Sequence, residues 1–271
     1  MVDRKEGADA VPTPEPVQPV PAPPWRRPRK SAQVKRQLSQ DLIVETGMRV
    51  LDAEGLDALS MRRVAQELDT GPASLYAHVA NKDELLELIY DRVLGEIELP
   101  EPDPSRWKEQ VRAYGVEVHR VLAAHADVAR AALANIPSGP NSLRIGEFVF
   151  GLMIDSGMTP RQASLSMDRL SLYVVGDAYE GSLHYARMRA AGHRSKEEYF
   201  ETFSGQISGY YRALPQERFP HLARFVDDLI ADDGETRFHY GLDLLLDGME
   251  ARMAEQGAEP GGVPSAVPRA P

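Results

Sequence analysis

The chain has 271 residues, 42% of them apolar, which is enough for one large domain or a small and a medium one, each with its own core. It has no cysteine, which excludes disulfides, thiolate metal sites and cysteine nucleophiles together. Its net charge of −10 speaks against a nucleic-acid partner only for the chain taken whole: residues 25 to 82 hold ten Lys/Arg against seven Asp/Glu, and residues 83 to 271 hold 19 against 30.

Residues 1 to 36 form a Pro-rich and basic arm. Pro12, Pro14, Pro16, Pro19, Pro21, Pro23, Pro24 and Pro28 leave too few large apolar side chains for a core, so disorder or polyproline geometry is expected. The run Arg26, Arg27, Arg29, Lys30, Lys35 and Arg36 follows without an acidic residue from Trp25 to Gln40. It reads either as a solvated linker or as an arm lying along phosphates or in the minor groove.

From Leu38 onward the apolar residues step at three and four, which predicts helices throughout and an all-α chain. A first helix is expected from Leu38 to Glu54, stopped by Gly55, and a second after Ser60, burying Met61, Val64, Ala65 and Leu68. A short third helix spans Pro72 to Val79, and Asn81 caps a fourth carrying Leu85, Leu86, Ile89, Val93 and Ile97. These elements make a small domain over residues 37 to 99, ended by Pro100, Pro102 and Pro104.

A second domain, residues 105 to 255, continues in helices: one from Trp107, one over residues 126 to 134 ended by Pro137, and one over residues 141 to 156 stopped at Gly157. Thr159-Pro160-Arg161-Gln162 is a capping box with proline at the first helical position, opening a long helix to about Arg189. Ser195-Lys196-Glu197-Glu198 repeats the pattern, and residues 221 to 231 and 236 to 254 supply two further helices. The tail from residue 256, rich in Gly, Pro and Ala, is expected to be disordered. No apolar run approaches the roughly 18 to 20 residues that cross a bilayer, so a cytoplasmic protein without a membrane partner is expected.

The spacing of the second and third helices is that of a helix-turn-helix. Ala65 is small enough for the two to cross steeply, and Asp69 falls where a residue tolerant of positive φ is wanted. Leu75 and Val79 point inward, leaving Ala73, Ser74, Tyr76, Ala77 and His78, uncharged and short or flat, for close approach to base edges. The segment from Leu59 to Leu86, above all Leu75-Tyr76, His78-Val79 and Asn81-Lys82, resembles the DNA-binding domain of the TetR family, near its tetracycline-repressor branch. Asp69 departs from the glycine usual there. The likeness extends through Trp107 and residues 157 to 180 to the closing helix.

The resemblance implies a ligand-responsive transcriptional repressor that binds a palindromic operator as a homodimer. It implies that Ser60, Tyr76 and Lys82 contact phosphates, and that Arg62, Ser74 and His78 face bases or their neighbours. Arg62 has the strongest base-reading case, since a guanidinium bonds guanine bidentately; the plainer reading of Arg62 and Arg63 is a solvated helix face. Dimerisation is implied on the long helix after Pro160 and on the last helix, whose stripes are Ala163, Met167, Leu170, Val174 and Ala178, and Leu242, Leu245, Leu246 and Met249. Such stripes are equally expected of an ordinary core.

A small hydrophobic or amphipathic effector is expected among Tyr114, Val118, Val149, Tyr173 and Asp177, with Glu98 at the end of the fourth helix. The metal-chelating histidine of tetracycline repressors falls at Ala132, which argues against a magnesium-tetracycline ligand. His119 and His125, six apart, read as structural. No cofactor and no metal site is expected, and no Gly-rich phosphate loop, Gly-x-Ser-x-Gly or H-E-x-x-H pattern suggests an enzyme. The competing reading is a DNA-associated structural or protein-interaction adaptor without an effector.

Overall fold

In a computed structural model, residues 38–125, 128–133 and 138–258 are described. Every regular element among them is helical: α1 Gln40–Glu54, α2 Met61–Glu67, α3 Pro72–Leu75, α4 Lys82–Leu94, a 3-10 turn Pro104–Arg106, α5 Trp107–Ala124, α6 Val128–Ala132, α7 Pro140–Asp155, α8 Pro160–Ala190, α9 Lys196–Arg212, α10 Pro220–Arg224, α11 Val226–Ile230 and α12 Gly234–Ala258. The arm over residues 1 to 36, with its arginines and lysines, and most of the tail lie outside the described residues. So do parts of the helix expected over 126 to 134.

Short polar side chains set the helix starts. Ser39, Ser60, Asn81 and Ser195 each accept a backbone N–H from the third residue of the helix that follows, satisfying a donor that has no partner inside the helix. Thr159 and Gln162 cap α8 reciprocally, completing the box read from the sequence. At the other ends, Gly55 (φ 85°) and Gly157 (φ 107°) take left-handed conformations that close α1 and α7.

One continuous apolar core joins the N-terminal helices to the rest. It runs from Ile43, Leu51, Leu75 and Leu85 through Ile97 and Trp107 to Leu122, Val149, Leu170, Phe238 and Leu246. Helix α4 is the element that makes this continuity, packing on α1 with one face and on α5, α6 and α7 with others. At Gly47 on α1 a Cβ would stand 2.9 Å from the Ile89 side chain, so the glycine allows α1 and α4 to approach closely. Phe238 of α12 anchors the second half, stacked on His119 at 4.0 Å and parallel to Tyr173 at 5.7 Å.

Candidate functional site

The helix-turn-helix is built around a Schellman turn. Asp69 is the one non-glycine with positive φ (48°) among the described residues. Thr70 N–H donates to Ala65 O at 2.9 Å and Asp69 N–H to Gln66 O at 3.1 Å, the paired bonds of that motif. Aspartate holds the left-handed position at a cost that glycine avoids. Ala65 is buried at the crossing, as are Leu75 and Val79 beneath the turn.

Regular α3 ends at Leu75, four residues before the end expected from the sequence. The chain does not leave the helical path there but tightens: His78 and Val79 N–H both donate to Leu75 O at 2.9 Å. Gln40, reaching from the start of α1, gives its side-chain amide to His78 O at 3.2 Å, so α1 supports the end of the reading element.

Ala73, Ser74, Tyr76, Ala77 and His78 are all exposed, Tyr76 at 53%. Tyr76 therefore stands off the surface instead of filling the core. The two arginines of α2 separate clearly. Arg63 is held by Glu54 at 2.6 Å and by Glu67 at 2.9 Å, hydrogen bonds that push its guanidinium pKa up and hold the Glu54 carboxyl below its ordinary range. Arg62 is exposed and pairs with no carboxylate among the described residues.

Ser60 accepts Arg63 N–H through its oxygen, which leaves its hydroxyl hydrogen to donate outward. Lys82 gives one ammonium hydrogen to Leu56 O at 3.3 Å, with two remaining. At the start of α4, Asn81 accepts Glu84 N–H at 2.8 Å and the Glu84 carboxylate accepts Ala80 N–H. Two backbone donors near this helix start are thus bonded already, so an anion here would be met by the Lys82 side chain together with the remaining first-turn N–H groups of α4.

The residues expected around an effector are not all brought together. Tyr173 and Asp177 line an open cleft of ≈ 550 Å³ between α8 and α12, with Leu172, Gly176, Glu180, Arg237, Tyr240 and Gly241. Tyr173 donates its hydroxyl to Phe238 O at 2.8 Å, and Asp177 lies 2.9 Å from His119 Nε2. Val118 and Val149 are buried in the core on α5 and α7, and Glu98 is exposed beyond α4. Tyr114 is half-buried on α5; desolvation, and secondarily the nearby Tyr90, push its phenol pKa up. Tyr90 itself is pushed up to about 12 by burial and then by the Asp91 charge. Ala132 sits half-buried on α6, and His125 bridges Asp52 at 3.4 Å and Glu96 at 3.1 Å.

The stripes assigned to an interface between copies need correction. Ala163, Leu170, Val174 and Ala178 of α8 and Leu242, Leu246 and Met249 of α12 are buried inside the protomer, with Met167 and Leu245 partly buried against the same core. Exposed apolar residues on these helices are instead Leu165, Leu172, Leu183, Tyr185, Tyr240 and Leu244, between 38% and 67% accessible. The stronger apolar stripe of each helix is taken up by the protomer's own core, and these side chains are left on the surface.

The model for bacterial regulatory proteins of the tetR family matches residues 43–89, and that for the tetracyclin repressor-like C-terminal domain matches residues 99–253. The chain belongs to the TetR family. It is 32% identical to an HTH-type transcriptional regulator of Saccharopolyspora erythraea over 84% of this chain and 91% of that one. It is 31% identical to the HTH-type transcriptional repressor DrrR1 of Streptomyces coeruleorubidus over 86% of this chain and 84% of that one. Among solved structures, the TetR family protein ActR of Streptomyces coelicolor in complex with actinorhodin is 42% identical, with a TM-score of 0.72, covering 82% of this chain and 99% of that one. ActR is also known in complex with (S)-DNPA.

As a TetR-family transcription regulator the chain has an N-terminal helix-turn-helix and a C-terminal helical domain. Nothing in the sequence signalled Tyr90, which lies beside the Ile89 of the α4 stripe, or the Glu54–Arg63 pair, nine residues apart across a loop. No described helix is long and apolar enough to cross a membrane.

Proposed function

We propose that the chain binds a palindromic operator as a homodimer and releases it when a small hydrophobic or amphipathic molecule occupies the second domain. The observation that carries the DNA half is the contrast on α2: Arg63 is consumed by Glu54 and Glu67, while Arg62 stands exposed, and α2 packs on α3, where Ser74 and, just beyond it, Tyr76 and His78 are exposed too. An exposed cation with no carboxylate partner among the described residues, in a helix-turn-helix whose α3 and following turn expose short or flat uncharged side chains, suits base-edge reading, with Ser60, Tyr76 and Lys82 on phosphates.

One such module reads few base pairs, so useful affinity needs two, spaced by about 34 to 36 Å or a multiple. The exposed Leu165, Leu172, Tyr240 and Leu244 support a symmetric contact between copies. Repression is supported by the relative DrrR1, and small-molecule control by ActR with actinorhodin or (S)-DNPA. In this chain the effector positions are Tyr173 and Asp177, at the cleft between α8 and α12; Tyr114, the buried Val118 and Val149, and the exposed Glu98 do not line that cleft. An effector acts only by binding one arrangement of the reading heads better than the other.

The test is displacement of a labelled operator from the full chain by a panel of small molecules that begins with actinorhodin. Release by at least one, at a concentration that leaves the fold intact, is expected. Operator binding unmoved by the whole panel favours the adaptor reading.

A further inference from the structure

Helices α4 and α7 cap each other. Helix α7 starts after Gly139, which offers no side chain to its free N–H groups. The missing cap comes from α4: Asp91 Oδ1 accepts Ser142 N–H at 2.9 Å and Ser142 Oγ–H at 3.0 Å, and Oδ2 accepts Asn141 N–H at 3.3 Å and the Asn141 amide at 3.1 Å. That amide also donates to Asp91 O at 3.0 Å. One turn further along α7, Arg144 donates to Ile97 O at 3.0 Å, just beyond α4, and to Leu94 O at 3.4 Å, the last carbonyl of α4, which also accepts Ile97 N–H.

Gly139 is part of the same device. A Cβ there would lie 2.2 Å from Asp91 Cγ and Oδ1, so the carboxylate seats only against a glycine. A helix can be capped by its own preceding residue at no cost in design, yet here the cap is borrowed from the helix that also packs on α1 and follows the reading element. The carboxylate accepts in two directions from a charged, partly buried position, so the joint is sensitive to small shifts of either helix.

From this reciprocal cap we infer that α7 sets the tilt of α4 through Asp91, a positioning residue coupling the second domain to the DNA-reading face. The inference rests on the proposed operator binding and names the joint that regulates it. By linkage, operator occupancy must then act back on the first turn of α7.

Hydrogen exchange of the full chain, with and without its selected operator, reads this at residues 138 to 146. Operator binding is expected to change exchange there by about threefold or more. Asp91→Asn, which puts a donor where an acceptor is needed, should speed exchange of the free chain about five- to tenfold and remove the response to DNA. Ser142→Ala, which keeps the carboxylate, should give a smaller loss and serves if Asp91→Asn fails to fold. A merely structural cap would speed exchange but leave the response intact. An operator-bound native chain with no change at residues 138 to 146, or variants that keep the full response, overturns the inference. A chain that selects no operator overturns the function beneath it, and that failure is seen in the selection itself before any exchange is compared.

Discussion

The Arg63 guanidinium lies 2.6 Å from Glu54 across the loop that joins α1 to α2, and of the two adjacent arginines only Arg62 is left without a carboxylate partner among the described residues. Arg62→Ala should lower discrimination between operator and variant sequences by about 1 to 3 kcal/mol, with little change in unfolding. Arg63→Ala should do the reverse, costing stability and changing sequence preference little. Competition binding against operators altered one base pair at a time, beside urea unfolding, separates the two. Equal loss on operator and random DNA for Arg62→Ala contradicts its base-reading role.

Asp69 holds φ +48° in the turn between α2 and α3. Asp69→Gly should stabilise the chain by about 0.5 to 1 kcal/mol, because glycine pays no steric penalty there, and Asp69→Val should destabilise it by roughly 1 kcal/mol or more. Chemical denaturation checks both. A gain for valine would mean that the turn is not held in this conformation.

Tyr90 gives a dependence on alkaline pH. Its phenol is pushed up from 10.0 to about 12 in the folded chain, first by burial and then by the charge of Asp91. Below both values folded and unfolded chains hold the proton and the residue is silent. Between them only the unfolded chain releases it, so stability falls as pH rises, by about 2 to 3 kcal/mol across the window. Tyr90→Phe should flatten that part of the profile, as read from urea midpoints at a series of pH values; an unchanged slope contradicts the assignment.

Neighbouring leucines of α12 should fail in different ways. Leu242 is fully buried, so Leu242→Ala opens a cavity and should cost about 2 to 5 kcal/mol of folding stability. Leu244 is 55% exposed, so Leu244→Glu should leave the protomer folded and weaken the contact between copies. Sedimentation over a dilution series distinguishes them. A Leu244→Glu chain that dimerises as tightly as the native one would move the interface elsewhere.

These contrasts also mark what the sequence carries. Caps such as Ser60, Asn81 and Thr159 and stops such as Gly55 are legible because each acts within a few residues of its own position. The positive φ expected at Asp69 follows for the same reason. The inward stripes of α8 and α12 are legible as apolar, but periodicity does not say whose core they enter, and they enter the protomer's own. Asp91 is invisible to local reading because its partners, Asn141 and Ser142, lie some fifty residues away on another helix. The effector positions are the least legible, since Tyr173 and Asp177 meet at one cleft while Val118 and Val149 are buried elsewhere in the same core.

The central claim is that a two-fold pair of helix-turn-helix faces reads a specific sequence. Selection from random duplex DNA with the full chain tests it most directly. The expected result is a symmetric sequence with half-sites about one helical turn, or a multiple of it, apart, in which the base preference opposite Arg62 disappears when the Arg62→Ala chain is used. Enrichment of no sequence, with binding set by salt alone, would contradict it.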